Sequence, residues 1–439
     1  MAQVVKDRES PTRAQRAGPK HDLLLAIGLV LYPSTQFRLG GVPFGPGELL
    51  LIIWVVISLG RRAYGPTVMP SATLLRIASF WFVLVVAESI GMLVGFSIEL
   101  FQDWHQIRND VIAYTLMIAL GLALAIEFAD KQRRRRLVWT TVWLGSGSLT
   151  LQVLQGYGLP GPPGVETWYF HRFLGWSENP NQLAFLATVI TVLSIHLADT
   201  ARTRVSSFVA VILSVVPIIV GLLTDSDSFI VSMLAATAAY VALKSVTWLR
   251  ATKLSITPQG SIVAMSLLFL PLVIIAAAPF GSLVRDQILA ESAVVYTQGD
   301  QGDVRIALWQ EAAEKGMMAG MLGMGPGPHL TSKSYKRTPP EKFEAHNTPL
   351  DLFTQGGFLA IFAYIWLGAS AFGAAWRARL PTCAAIVCGL MAFSMFHFII
   401  RHPIFWFAIV LCLLEAGNVR KAAHHIAGWP AGRREGHVQ

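Results

Sequence analysis

The stretch HNTPLDLFTQGG begins with His346, directly before the start of a predicted helix. In this stretch Thr348 is the predicted N-cap, Pro349 the first helical residue and Asp351 the capping-box partner. A helix start offers free N–H groups and a positive dipole, which suit a phosphate or a developing anion. A neutral imidazole beside it could take a proton from a hydroxyl. His346 and Asn347 are therefore candidate site residues, although a loop histidine next to a well-capped helix has the same local sequence.

The segment SENPNQL repeats this arrangement, with Asn179 as the predicted N-cap and Pro180 as the first helical residue. Capping explains neither Asn181 nor Arg172, which lies upstream in the same loop. Arg172 is a candidate phosphate ligand because a planar guanidinium can bind two oxygens at once. An arginine that reaches out to lipid headgroups is an equally good interpretation. Asn179 and Asn181 are candidates to bind the same substrate.

Three further cationic residues lie in loops on the same predicted side. Arg305 lies one helical turn before Trp309 on a predicted amphipathic helix over residues 303–315, where it could face a pyrophosphate or anchor the helix at the membrane interface. Arg401 and His402 fill a very tight predicted turn and are either turn residues or substrate ligands. The three cysteines fall inside predicted spans without partners at zinc spacing and are predicted to be small core residues.

Membrane helices are the elements that must position these residues. Of the 439 residues, 54% are hydrophobic and only 14% are charged, which is too little polar surface for a soluble globule. The apolar residues come in windows of about 20, the length that a helix needs to cross hydrocarbon. The fold class is therefore predicted to be all-α integral membrane, with about 12 transmembrane helices. The predicted spans cover residues 22–36, 46–60, 74–97, 110–129, 137–155, 179–198, 205–223, 227–247, 260–279, 349–375, 380–400 and 403–417.

Lysine and arginine residues concentrate in alternate short loops, which predicts that those loops and both termini are cytoplasmic. This topology accounts for the net charge of +9, and nucleic acid is not a predicted partner. The predicted organisation is a basic cytoplasmic tail (1–20), transmembrane helices 1–9 (21–279), a long outside loop between spans 9 and 10 (280–348), transmembrane helices 10–12 (349–417) and a second cytoplasmic tail (418–439).

Three motifs, taken in order, resemble the O-antigen ligase and polymerase family: NPNQLA at the start of a mid-chain span, R-x-x-x-W followed by LGMGPG in the long loop, and EAHNTPLDLFTQGG entering the next span. The resemblance covers roughly Arg172 to Pro403. It implies a GT-C-like glycosyltransferase of the bacterial inner membrane, which uses undecaprenyl-diphosphate-linked sugars on the periplasmic side without a metal. By the same resemblance His346 matches the histidine proposed to activate the acceptor hydroxyl, and Arg305 the arginine proposed to hold the donor diphosphate.

One turn departs from the family pattern. Many relatives have an arginine in a sequence like T-G-S-R after the span that follows NPN, whereas this chain has TDSD at residues 224–227. A carboxylate cannot neutralise a diphosphate. Neutralisation of the diphosphate at this turn must therefore be absent or be supplied by another residue, for which Arg172 and Arg401 are the candidates.

The predicted function is polymerisation of lipid-linked repeat units into polysaccharide at the periplasmic face, with a lipid-linked oligosaccharide as donor and as acceptor. One alternative keeps the donor but uses lipid A core (a ligase) or a protein hydroxyl (an O-oligosaccharyltransferase) as the acceptor. Another is a small-solute transporter, which usually needs an ionisable residue within the membrane, here Glu88. The membrane lipids, a flippase and a chain-length regulator are the predicted partners.

Overall fold

The computed structural model describes residues 19–38, 44–63, 71–98, 103–251, 301–331 and 342–427. Within these ranges the chain is almost entirely helical. The twelve α-helices found there are α1 (Pro19–Leu31), α2 (Pro46–Ala63), α3 (Ala72–Ile98), α4 (Trp104–Glu127), α5 (Lys131–Gly156), α6 (Pro180–Asp199), α7 (Arg204–Leu223), α8 (Asp227–Ala251), α9 (Gln301–Met318), α10 (Thr348–Arg377), α11 (Pro381–Ser394) and α12 (Pro403–Ala427). The loop between α5 and α6 forms a small antiparallel hairpin of β1 (Trp168–Tyr169) and β2 (Arg172–Phe173).

Seven of the helices in the described ranges, α3 to α8 and α10, are long and apolar enough to cross a membrane. Helices α11 and α12 are apolar over shorter lengths. The predicted all-α membrane class is thus confirmed. The count of about 12 spans stays a prediction, and the predicted span over residues 260–279 lies outside the described residues.

Helix α6 lies at the centre of the bundle. Its span is 83% buried, whereas 22–44% of each of the other six is buried. It packs against α5, α7, α8, α11 and α12. Because α6 starts at the NPN motif, this motif opens the most buried of the seven candidate spans in the described ranges.

The predicted span over residues 380–400 is wrong at its far end, because α11 stops at Ser394. The following residues form a turn, although Phe398, Ile399 and Ile400 within it are apolar and buried. Side chains from the start of α10 bind this turn: Asn347 Nδ2 donates to the carbonyl of Met395 at 2.8 Å, and Thr348 Oγ1 donates to that of His397 at 2.7 Å. Tertiary hydrogen bonds therefore replace helical ones, and we call residues 395–402 the C-terminal turn.

Helix α10 contains a kink at Gly357, whose φ of 64° lies in the left-handed region that favours glycine. The LGMGPG segment fills this kink. The backbone nitrogens of Met324 and Gly325 donate to the carbonyls of Thr354 and Gln355, both at 2.8 Å. These carbonyls would otherwise lack partners because the kink interrupts the helical pattern. Two of the three family motifs therefore bind each other directly.

Glycines of α3 complete this junction. A Cβ on Gly91 would lie 2.7 Å from the backbone nitrogen of Gly325 and closer still to the carbonyl oxygen of Gln355. A Cβ on Gly95 would collide with the carbonyl of Met324. Only glycine allows the backbones of α3, α10 and the LGMGPG segment to approach this closely.

Candidate functional site

Helix α9 carries Arg305 to the start of α10. The helix was predicted over residues 303–315, with its apolar side at the membrane interface, and it occupies Gln301–Met318. Its apolar side is covered by protein, because Leu308 is 6% exposed and packs in a small cluster with Leu330 and Ala345. The indole nitrogen of Trp309 donates to the carbonyl of Ala345 at 2.9 Å. Arg305, one turn earlier, thereby lies within electrostatic range of His346.

His346 directly precedes the helix, as predicted, but the helix cap is shifted by one residue. Asn347 is the N-cap, with its Oδ1 accepting from the backbone nitrogen of Leu350 at 3.2 Å, and Thr348 is the first helical residue. The prediction of Thr348 as the cap was wrong, because its hydroxyl is bound to the C-terminal turn instead. Asp351 does reach back, and its carboxylate accepts from the backbone nitrogen of Asn347 at 3.1 Å.

The backbone of His346 has a φ of 52°, which is rare for a residue with a side chain. Such strain persists where the surroundings fix the conformation, and it clusters at functional sites. Burial lowers the pKa of His346 from 6.5; the carboxylate of Glu344 opposes this, and the charges of Arg305 and Arg401 add to it. The imidazole is therefore neutral at pH 7, as a general base requires.

Arg172 extends from strand β2 to the start of α6 and the TDSD turn. Its Nε donates to the carbonyl of Thr224 at 3.1 Å, and its terminal nitrogen donates to Oδ1 of Asn181 at 3.1 Å. The same oxygen of Asn181 accepts from the hydroxyl of Ser226 at 3.0 Å. Asn181 thus accepts hydrogen bonds from both Arg172 and the TDSD turn. Asn179 is the N-cap of α6, as predicted.

The two arginines lie within electrostatic range of each other. Burial lowers the pKa of Arg172; the carboxylates of Asp225 and Asp227 oppose this, and the charge of Arg305 lowers it further. Asp225 is directed elsewhere, since its carboxylate pairs with the Nε2 of His171 at 3.0 Å. Two guanidinium groups that repel each other in this way favour an anion bound between them.

Arg401 is engaged differently from Arg172. Its guanidinium forms ion pairs with Asp110 of α4 and with Glu344, and it lies 4.7 Å above the ring of Phe398. Its backbone carbonyl accepts from the hydroxyl of Tyr32 at 2.8 Å. Two carboxylates compensate the charge of this arginine, so it fastens the His346 loop to the bundle and is a poorer candidate than Arg172 for an anion ligand.

His402 and Asn347 were predicted to bind substrate, and the structure gives both of them contacts inside the protein. The His402 ring is 7% exposed and packs 5.6 Å from the ring of Tyr32 and 5.4 Å from that of Phe185. Both polar atoms of the Asn347 side chain bind backbone groups. Their roles in substrate binding stay predictions.

The structure adds one residue that the sequence did not suggest. His397 of the C-terminal turn lies parallel to His346, with an angle of 8° between the rings and 6.2 Å between their centroids. Hydropathy predicted that His397 lies inside a membrane span, so its contact with the ring of His346 was not predicted. In the described part of the chain, no group of three or more His, Cys, Asp or Glu residues is placed to hold a metal ion.

The comparison with known families agrees with these motifs. A family model described as O-antigen ligase matches residues 181–365, a segment that includes Asn181, Arg305 and His346. Arg172 and the C-terminal turn lie outside the matched segment. No curated protein matches the chain. The predicted resemblance is thus confirmed over residues 181–365, which match the O-antigen ligase family model.

Proposed function

We propose that this protein polymerises undecaprenyl-diphosphate-linked oligosaccharide repeat units into polysaccharide on the periplasmic face of the bacterial inner membrane. The family match supports a membrane enzyme of the ligase or polymerase type. The donor, the polymerase activity and the orientation are the steps that go beyond it.

In the proposed reaction, Arg305 and Arg172 bind the donor diphosphate from two sides. The acceptor hydroxyl gives its proton to His346 as its oxygen bonds to the anomeric carbon of the donor. The bond between that carbon and the diphosphate oxygen breaks, and the lipid diphosphate leaves with the electron pair. The arginines stabilise the charge that develops on the leaving group, and the neutral imidazole accepts the proton.

One observation carries this proposal: Arg305 lies within electrostatic range of both the neutral His346 and Arg172, although the three residues belong to three separate elements. The bond from Trp309 to the carbonyl of Ala345 joins the helix of Arg305 to the residue that precedes His346. These interactions support Arg172 as the residue that takes the place of the family arginine, which the TDSD turn lacks. It binds that turn at the carbonyl of Thr224.

The donor assignment is tested by Arg305→Ala and Arg305→Lys in the full-length protein reconstituted in liposomes. Arg305→Ala should lower turnover strongly, and Arg305→Lys should restore it only partly, because lysine keeps the charge but loses the planar fork. Arg172→Ala should lower turnover in the same way. The matched control is Arg108→Ala, which removes an exposed arginine near the start of α4. Full-length polymer from Arg305→Ala at normal protein levels contradicts the assignment.

The acceptor is decided in the same assay. Liposomes that contain only lipid-linked repeat units should yield a ladder of polymers. If product forms only when lipid A core is added, the protein is a ligase, and the polymerase proposal is wrong.

A transporter is the second candidate because Glu88 of α3 is 6% exposed and its carboxylate has no hydrogen-bond partner among the described residues. A proton-coupled carrier usually needs such a group, whereas the proposed chemistry does not use it. Glu88→Gln should therefore leave polymer formation unchanged. Transport of a small solute that Glu88→Gln abolishes, without polymer formation by the wild type, supports the carrier instead.

A further inference from the structure

The C-terminal turn holds His397 in a fixed position against the start of α10. The Thr348 hydroxyl donates to the carbonyl of His397 and accepts from the backbone nitrogen of Ile399 at 3.0 Å. Asn347 binds the carbonyl of Met395, two residues before the histidine. These bonds hold the backbone on both sides of His397 and so fix where its side chain begins.

The ring of His397 is buried but unsatisfied. The residue is 5% exposed, and neither Nδ1 nor Nε2 has a hydrogen-bond partner among the residues that the structure describes. Buried polar side chains are almost always hydrogen-bonded, so each exception calls for a physical reason. A ligand of the site is such a reason here, because the ring lies parallel to that of His346 at 6.2 Å.

The charge state of His397 indicates the kind of ligand. Burial lowers its pKa well below 6.5, and the nearby imidazoles of His402 and His346 and the charges of Arg401 and Arg305 lower it further. A neutral imidazole offers one hydrogen-bond donor and one acceptor. A diphosphate oxygen only accepts, whereas a sugar hydroxyl both donates and accepts. The ring therefore complements a sugar hydroxyl better than a phosphate, for which the arginines are suited.

We propose that His397 binds a hydroxyl of the acceptor glycan, next to the hydroxyl from which His346 takes its proton. This inference rests on the proposed function and adds to it a residue that orients the acceptor. Histidines on two separate elements would then contact one sugar, one as the base and the other as a binding residue.

Binding is measured without turnover in a full-length His346→Ala background. The two probes are undecaprenyl diphosphate without sugar and the undecaprenyl-diphosphate-linked glycan purified from host cells that lack the enzyme. Adding His397→Phe, which keeps a ring but removes both nitrogens, should weaken binding of the glycan lipid by about tenfold. It should leave binding of the sugar-free lipid unchanged. Arg305→Ala should weaken both.

Two further variants separate contact from folding. His397→Gln restores a donor and an acceptor and should recover part of the affinity for the glycan lipid. Met395→Leu changes an exposed side chain of the same turn and keeps the backbone carbonyl that Asn347 binds. This variant should bind both lipids as the His346→Ala parent does. With His346 restored, His397→Phe should raise KM for the glycan lipid more than it lowers kcat.

The possible results are distinct. The role of His397 is overturned if His397→Phe loses affinity for both lipids equally, or if its affinity for the glycan lipid is unchanged. If His397→Phe does not fold, His397→Gln decides, and loss of both lipids there has the same meaning. If Arg305→Ala weakens neither lipid, the proposed function itself fails, whatever the histidine variants show.

Discussion

The close packing of α3 against the kinked α10 can be tested with Gly91→Ala. Alanine is favoured over glycine within a helix by about 0.8–1.0 kcal/mol in water, so the substitution alone would stabilise α3. The added Cβ, however, meets backbone atoms of Gly325 and Gln355 at distances below 3.0 Å. Backbone cannot rotate away as a side chain can, and overpacking of this kind costs about 1–3 kcal/mol. Gly91→Ala should therefore destabilise the protein.

Gly147→Ala in α5 is the matched control, because nothing lies within 4 Å of a Cβ there. It should gain the helix propensity without the collision, so the free energies of unfolding of the two variants should differ by about 1–3 kcal/mol. Thermal unfolding of the purified proteins in detergent, followed by tryptophan fluorescence, measures the difference. If Gly91→Ala is as stable as Gly147→Ala, the three backbones do not pack as described.

Three other predictions concern the site and its orientation. If His346 acts as a neutral base with a lowered pKa, activity should fall with decreasing pH at a midpoint below pH 6.5. A midpoint above pH 6.5 would contradict the burial of this ring. Glu344→Gln removes a charge that raises the pKa of His346, so the acid limb should move to still lower pH in polymer assays buffered from pH 4 to 8. Reporter fusions at Gly164 and Arg134 should read as periplasmic and cytoplasmic, respectively, because of the basic-loop asymmetry; the opposite pattern would exclude a periplasmic site.

Hydropathy predicted where most helices lie, but it failed where tertiary contacts decide the outcome. The residues after Ser394, MFHFII, are apolar enough to continue a helix, and the sequence therefore predicted one up to residue 400. The helix ends because Asn347 and Thr348 bind the backbone of this segment. Those two residues are far away in the chain, so no local pattern contains this information.

The cap of α10 shows the same limit on a smaller scale. Both Asn347 and Thr348 are good N-cap residues, and local sequence does not choose between them. The choice follows from the C-terminal turn, which engages the hydroxyl of Thr348 and leaves the cap to Asn347. The kink at Gly357 was likewise not predicted, because the segment that fills it lies about 30 residues earlier.

The candidate residues themselves were accessible from sequence where a motif supported them. The roles of Arg305 and His346 were predicted from the resemblance of their motifs to the family, and the bond from Trp309 to Ala345 joins the helix of Arg305 to the residue before His346. The hairpin that aims Arg172 at the TDSD turn was not predicted, although Arg172 was proposed as a substitute for the missing arginine. His397 was missed because nothing in its local sequence distinguishes it from a residue within a span.

The most direct test of the account is the turnover of His346→Ala. The purified variant is reconstituted in liposomes with defined lipid-linked repeat units, and polymer is measured against the wild type at equal protein levels. A general base contributes about 10²–10⁴-fold to the rate, and Asn347 and Asp351 still form the helix start. We therefore predict a folded, inserted protein that makes no detectable polymer. Wild-type turnover by His346→Ala would show that the acceptor is activated by another group or by none.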